Sequence, residues 1–176
     1  LKIKIYHGTT ASKAKSIIGD GNFVFQQRPD HWLGQGVYFF VNDYDAAVWW
    51  AGQGQDRDVK RAVLEYELEV DEDDLLDLDT LTGMRKFNEF LNSESHHLTM
   101  KLNSTSDKSS MRETRALWLQ TFYKYSNVKC CIFSFEVPYT DEFENIKSLG
   151  LEIKERQLVA IDFNIIEIQK LIINYI

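Results

Sequence analysis

The sequence predicts an α+β fold, and three observations carry that reading. Several short segments alternate apolar and polar residues, as strands do. At least four others carry apolar residues at helical spacing. Strands and helices do not follow one another in regular βαβ order, which disfavours a doubly wound sheet. A chain of 176 residues fits one domain, residues 1–176, with enough length to bury a substantial core.

The elements follow in chain order. Lys2 to Tyr6 alternates and reads as a first strand. Ala11 to Ile18 has Ala14, Ile17 and Ile18 on one helical face, Thr10 as cap, and Gly19-Asp20-Gly21 as its stop. Residues 20–35 read as an irregular loop, and Gly36 to Phe40 as a buried strand. Asp43 to Ala51 predicts a helix capped by Asn42 or Asp43. Arg61 to Val70 alternates with one wet face of glutamates. Asp71 to Asp79 reads as a solvated turn region. Thr80 to Asn92 and Arg112 to Tyr125 are expected helices, with a polar connector over Asn103 to Ser110. Lys129 to Val137 and Gln157 to Asp162 are further strands, and Ile165 to Ile176 is a mixed tail that supplies one more.

Composition narrows the function classes. Charged residues make up 27% and the formal charge is -7, so no global attraction to phosphate backbones or anionic membranes is expected. A local basic patch within an acidic total remains compatible with a nucleic-acid substrate. No apolar run approaches a membrane span, and the alternating start lacks the apolar core of a signal peptide. The two cysteines, Cys130 and Cys131, are adjacent and would point to opposite faces of a strand, which argues against a disulfide and suits a reducing cytoplasm. His96 and His97 likewise point apart, and no metal site is expected.

Two clusters stand out. Tyr6-His7-Gly8-Thr9-Thr10 ends the first strand. Trp32-Leu33-Gly34-Gln35-Gly36-Val37-Tyr38-Phe39-Phe40 is followed by Ala46-Ala47-Val48-Trp49-Trp50. Taken singly, each has an ordinary structural reading: a hydrogen-bonded histidine, core aromatics on a strand, and tryptophans on a helix facing that core. Their order and spacing together are more specific. Over about the first 50 residues they resemble the donor-binding half of the ADP-ribosyltransferases of the histidine–tyrosine branch, which includes the poly(ADP-ribose) polymerases and many bacterial toxins. The match runs through His7-Gly8-Thr9, Ala14 to Ile17, Gly21 to Phe23, Gly34-Gln35-Gly36-Val37-Tyr38-Phe39 and Ala46-Ala47-Val48-Trp49. It resumes near residue 155.

The resemblance implies a split mixed β-sheet flanked by helices, with NAD as substrate. Nicotinamide would stack between Tyr38 and Trp49, the Gly8 backbone would meet its carboxamide, and His7 and Thr9 would hold ribose hydroxyls. Arg28, by charge and location, would neutralise the diphosphate, with His31 a weaker candidate nearby. Ala46 departs from the pattern, because relatives often carry a hydroxyl there. The third catalytic position, usually Glu, falls on Gln157 when counted back from Asp162. Glu155 lies two residues earlier on the same strand face.

A neutral Gln157 still accepts a hydrogen bond from a ribose hydroxyl but gives no charge to an oxocarbenium-like ribose. Mono-transfer fits this better than polymer elongation. The resemblance thus implies a bacterial or phage-related, toxin-like mono-ADP-ribosyltransferase working in a cytoplasm, its own or that of a cell into which it is delivered. Its partners would be a protein or nucleic-acid acceptor and an antitoxin or immunity protein, with no membrane. A non-catalytic NAD or ADP-ribose-binding module, or an NAD glycohydrolase, is the alternative. RNA 2′-phosphotransfer would call for a basic pocket that the composition does not advertise.

Overall fold

The computed structural model describes residues 1–24, 26–27, 31–54, 58–94, 108–137 and 141–176. The fold is α+β: a seven-stranded mixed sheet with helices on both faces. The strands are β1 (Lys2–Thr10), β2 (Val37–Val41), β3 (Arg61–Glu69), β4 (Leu75–Asp77), β5 (Cys130–Glu136), β6 (Lys154–Ala160) and β7 (Ile172–Tyr175). The helices are α1 (Ala11–Asp20), α2 (Tyr44–Ala51), α3 (Leu81–Glu94), α4 (Lys108–Tyr125) and α5 (Glu144–Ser148). The sheet order is β4-β5-β6-β2-β1-β3-β7. Among the strands of the described residues, β4 and β5 pair in parallel and the other neighbours are antiparallel.

Strand alternation sorts the side chains into two cores. Ile3, Ile5, Phe39, Leu64, Leu68, Cys130, Ile132 and Leu158 face one side, where α1 and the short 3-10 turns near the C-terminus cover them with Ile17, Ile18, Phe163, Ile165 and Ile168. On the other side two smaller clusters form. One packs α2 through Ala47 onto Tyr6, Phe40 and Val63. The other packs α4, through Leu119, Phe122 and Tyr123, onto Leu76, Cys131, Phe135 and Val159. The free thiols Cys130 and Cys131 belong to different clusters, as adjacent strand residues must.

Several boundaries differ from those expected. β1 continues through His7, Gly8 and Thr9 to Thr10, because β3 pairs with it along its whole length, from Lys2↔Glu69 to Thr10↔Arg61. The last central strand starts three residues earlier than expected, at Lys154, and ends two residues earlier, at Ala160. Asp162 instead caps a 3-10 turn by accepting from the Asn164 N–H. The acidic stretch is not merely a solvated turn: it contains β4, and its carboxylates have partners. Asp74 holds Lys129 at 2.7 Å, while Asp77 and Asp79 receive the Arg156 guanidinium at 2.8 and 3.1 Å. Asp79 also accepts from the Ser134 N–H and hydroxyl. Residues 108–110, expected in a connector, form the start of α4. The histidines His96 and His97 and residues 103–107 of that connector lie outside the described residues.

Both short helices near the site are capped as their sequences imply. Thr10 Oγ1 accepts from the Lys13 N–H, and Asp43 Oδ1 accepts from the Ala46 N–H at 2.9 Å. Asn42 serves differently. It takes a positive φ of 56° and turns β2 into α2. Among the described residues, no helix is long and apolar enough to cross a membrane.

Candidate functional site

β1 and β2 are paired only at Ile5↔Val41 and Tyr6↔Phe40. Lys4 offers its carbonyl to the Asn42 N–H and its own N–H to Asn42 Oδ1, so its peptide groups face β2. By the two-residue repeat, Tyr6 and Gly8 face the same way. The register stops before Gly8, so the Gly8 N–H and C=O point into an opened seam beside Tyr38. The His7 ring meets the seam from the opposite face: its Nδ1 lies 2.8 Å from the Tyr38 carbonyl oxygen. A carbonyl only accepts, so Nδ1 carries the proton and Nε2 presents a lone pair when the ring is neutral. Burial lowers the imidazole pKa below its ordinary 6.5, and the charge on Lys13 lowers it further, against the opposing effect of the Tyr38 carbonyl. The neutral ring is therefore the favoured form.

Gly8 also serves packing. A Cβ there would collide with the Ala47 carbonyl oxygen, so the bare backbone lets α2 settle onto β1. The donor and acceptor in the seam thus lie directly beneath a helix.

Tyr38 stands on the α2 and α4 side of the sheet, opposite to the face of the His7 ring. The imidazole packs with Phe23 and Phe39 at centroid distances of 5.7 and 5.6 Å. The Tyr38 hydroxyl donates to the Gly34 carbonyl and accepts from the Leu33 N–H, both at 2.7 Å. Gly34 makes this clamp with a φ of 88°, a conformation that only glycine adopts without strain. The His31 ring meets the Tyr38 ring at 5.3 Å.

Across the sheet, Tyr6, Phe40, Gln157 and Phe133 stand opposite one another in register. Tyr38 is opposite Val159, which makes Gln157 its diagonal neighbour on the same face, at the roughly 7–8 Å that long side chains span. Gln157 Nε2 donates to Glu155 Oε2 at 3.1 Å, which turns the remaining amide oxygen away from that carboxylate. Burial raises the Glu155 pKa, the Gln157 bond opposes that, and the charge of Asp43 raises it further.

No family profile and no solved structure matches the chain. A protein of Methanocaldococcus jannaschii, named Uncharacterized protein MJ0359, is 28% identical over 81 residues. That stretch covers 44% of this chain and 38% of the relative, so the match spans less than half of either protein.

Of the residues singled out in the sequence, Tyr38, Gln157 and Glu155 share one face, and Gly8 borders them through the seam. His7 joins them only through the Tyr38 main chain, its ring lying on the other face with Thr9 two residues along β1. Trp49 does not face the core. The residue is 55% exposed and its ring lies 6.4 Å from the Trp50 ring. Trp50, itself 53% exposed, lies 6.5 Å from the Phe40 ring. Helix phase explains this: Ala47 and Ala51 take the sheet-facing positions, leaving both tryptophans on the flank. Arg28 lies outside the described residues. Sequence reasoning missed the proximity of Asp43 to Glu155. The signal was present, since the cap of α2 must sit where β2 ends, but its alignment with β6 is a matter of register.

Proposed function

We propose that this chain binds NAD⁺ and transfers its ADP-ribose to an acceptor with release of nicotinamide, as an ADP-ribosyltransferase of the histidine–tyrosine branch. One observation carries the reading: the β1–β2 seam, where the His7 ring takes the Tyr38 carbonyl and leaves the Gly8 N–H and C=O facing the gap. A carboxamide has one donor group and one acceptor, so it fits an adjacent C=O and N–H. The electron-poor ring attached to it suits the face of Tyr38, and an exposed Trp49 or Trp50 is free to fold over it. His7, packed on the opposite face, supports the site by holding the Tyr38 carbonyl through Nδ1.

In this mechanism the bond between ribose and nicotinamide breaks, and nicotinamide leaves neutral with the bonding electron pair. The acceptor nucleophile bonds to the ribose carbon and gives its proton to water. Gln157, held by Glu155, offers its amide oxygen to a ribose hydroxyl. Glu155 supplies the local negative charge that Gln157 lacks, at one residue's remove.

A second reading, a non-catalytic NAD⁺ or ADP-ribose-binding module, is favoured by the neutral amide at position 157. NAD⁺ glycohydrolysis differs from transfer only in taking water as acceptor. Calorimetry of NAD⁺ binding together with an assay of released nicotinamide decides among them. Transfer predicts both binding and release, with release faster when acceptor is added. Tyr38→Ala should abolish release; retained turnover in that variant would sink the pocket as drawn.

A further inference from the structure

Arg112 and Arg115 stand one turn apart on α4, on the side of the sheet that carries Gln157. The Arg112 guanidinium lies 5.2 Å from the Trp32 ring centroid, and that of Arg115 lies 5.1 Å from Phe135. Trp32 and Phe135 meet at 4.5 Å, and Phe135 and Phe133 at 5.0 Å. Arg115 Nε donates to the Trp32 carbonyl at 2.8 Å, which fixes the guanidinium plane. Among the described residues, neither arginine has a carboxylate within ion-pair distance, although the chain carries 27 acids against 20 bases. Burial lowers the Arg115 pKa and the like charge of Arg112 lowers it further, against the opposing effect of Tyr38. Glu113, exposed between them, points about 100° around the helix from Arg112.

This ledge adjoins the candidate site. Phe133 is the direct cross-strand partner of Gln157, and Phe135 that of Glu155. Two guanidinium groups lying over aromatic rings can offer a planar face to bases and N–H groups to phosphates. An acidic peptide would use only the second of these. A duplex would need a broad basic surface, which an overall charge of -7 does not provide. The geometry points to a docking ledge for single-stranded nucleic acid, formed by Arg112, Arg115 and Trp32 above the buried Phe135, which presents the strand as the ADP-ribose acceptor. The acceptor role rests on the proposed transfer activity; the docking does not.

Fluorescence anisotropy with labelled single strands of RNA and DNA, about 12 nucleotides long, tests the ledge at low salt without NAD⁺. Duplex DNA of equal length and an acidic peptide serve as competitors. The wild type should bind a single strand. Arg112→Ala, at an exposed position, should weaken binding about tenfold and reduce the slope of log affinity against log salt by about 0.7. Arg115→Lys keeps the charge and loses the fork; with thermal unfolding as a folding control, it should also weaken binding. Nicotinamide release is measured on the same preparations. Absent strand binding, an unchanged Arg112→Ala, or equal affinity for duplex or acidic peptide overturns the ledge, whatever the NAD⁺ result. Ledge-dependent binding without nicotinamide release supports the docking surface and overturns the transfer reading on which the acceptor role rests.

Discussion

His7 and Gln157 each hydrogen-bond a neighbour, and that makes their behaviour testable by pH. The folded state holds the His7 pKa below its ordinary 6.5, so it binds fewer protons than the unfolded chain around that value. Stability contributed by the neutral ring is complete above the ordinary pKa and is lost as pH falls through it toward the lowered one. Thermal unfolding from about pH 7.5 down to about pH 5.5 should show this loss, and His7→Gln should flatten it. Parallel curves for the two proteins would remove the buried imidazole from the account. Gln157→Glu would place a second carboxylate beside Glu155, at a position where the present bond is 3.1 Å. Two such groups share a proton, and one pKa rises well above the usual carboxylate range. The variant should therefore cleave NAD⁺ at least as well as the wild type at high pH and lose that activity as the pair protonates. Its stability should run the other way, falling as pH rises. A pH-independent rate would show that position 157 does not face Glu155.

At the scale of elements, the candidate site depends on how α2 meets β1. Gly8 lets the helix backbone approach, Ala47 and Ala51 keep the contact thin, and Asp43 starts the helix where β2 turns at Asn42. Gly8→Ala forces Cβ against the Ala47 carbonyl, and overpacking of this kind costs about 1–3 kcal/mol. Urea unfolding should show that loss, and NAD⁺ affinity should fall with it, because α2 carries Trp49 and Trp50. A variant as stable as the wild type would mean that α2 sits farther from β1. The other flank is held by different means. The Arg156 ion pairs with Asp77 and Asp79 tie β6 to the end of β4 and so fix the strand that presents Glu155 and Gln157.

Over the whole molecule, the sheet separates two cores, and Cys130 and Cys131 report on them independently. Burial is the main cause that pushes both thiols up to about 12, so neither is a thiolate at neutral pH. Alkylation of the native protein should therefore be slow for both, and it should become fast for both on unfolding. If one core opens separately, its cysteine should label first, with peptide mass spectrometry identifying which. Rapid labelling of either thiol in the native protein would contradict its burial.

Local chemistry made much of the fold legible. A continuous apolar run located β2 and two-residue alternation located β3, and alternation separated the two cysteines without reference to any other strand. Thr10 and Asp43 announced their helices because a cap is a contact over three residues. Alternation also placed Glu155 and Gln157 on one face, as their hydrogen bond requires. It could not say which strands are neighbours, since pairing is decided by burial summed over distant segments. The meeting of Tyr38 with Gln157, the end of pairing at Tyr6, the use of Asp77 and Asp79 to hold Arg156, and the outward turn of Trp49 all depend on register and helix phase. Sequence by itself determined the elements and the residue types available for chemistry. Tertiary structure alone decided which of them share a face, because that choice is made by contacts between residues far apart along the chain.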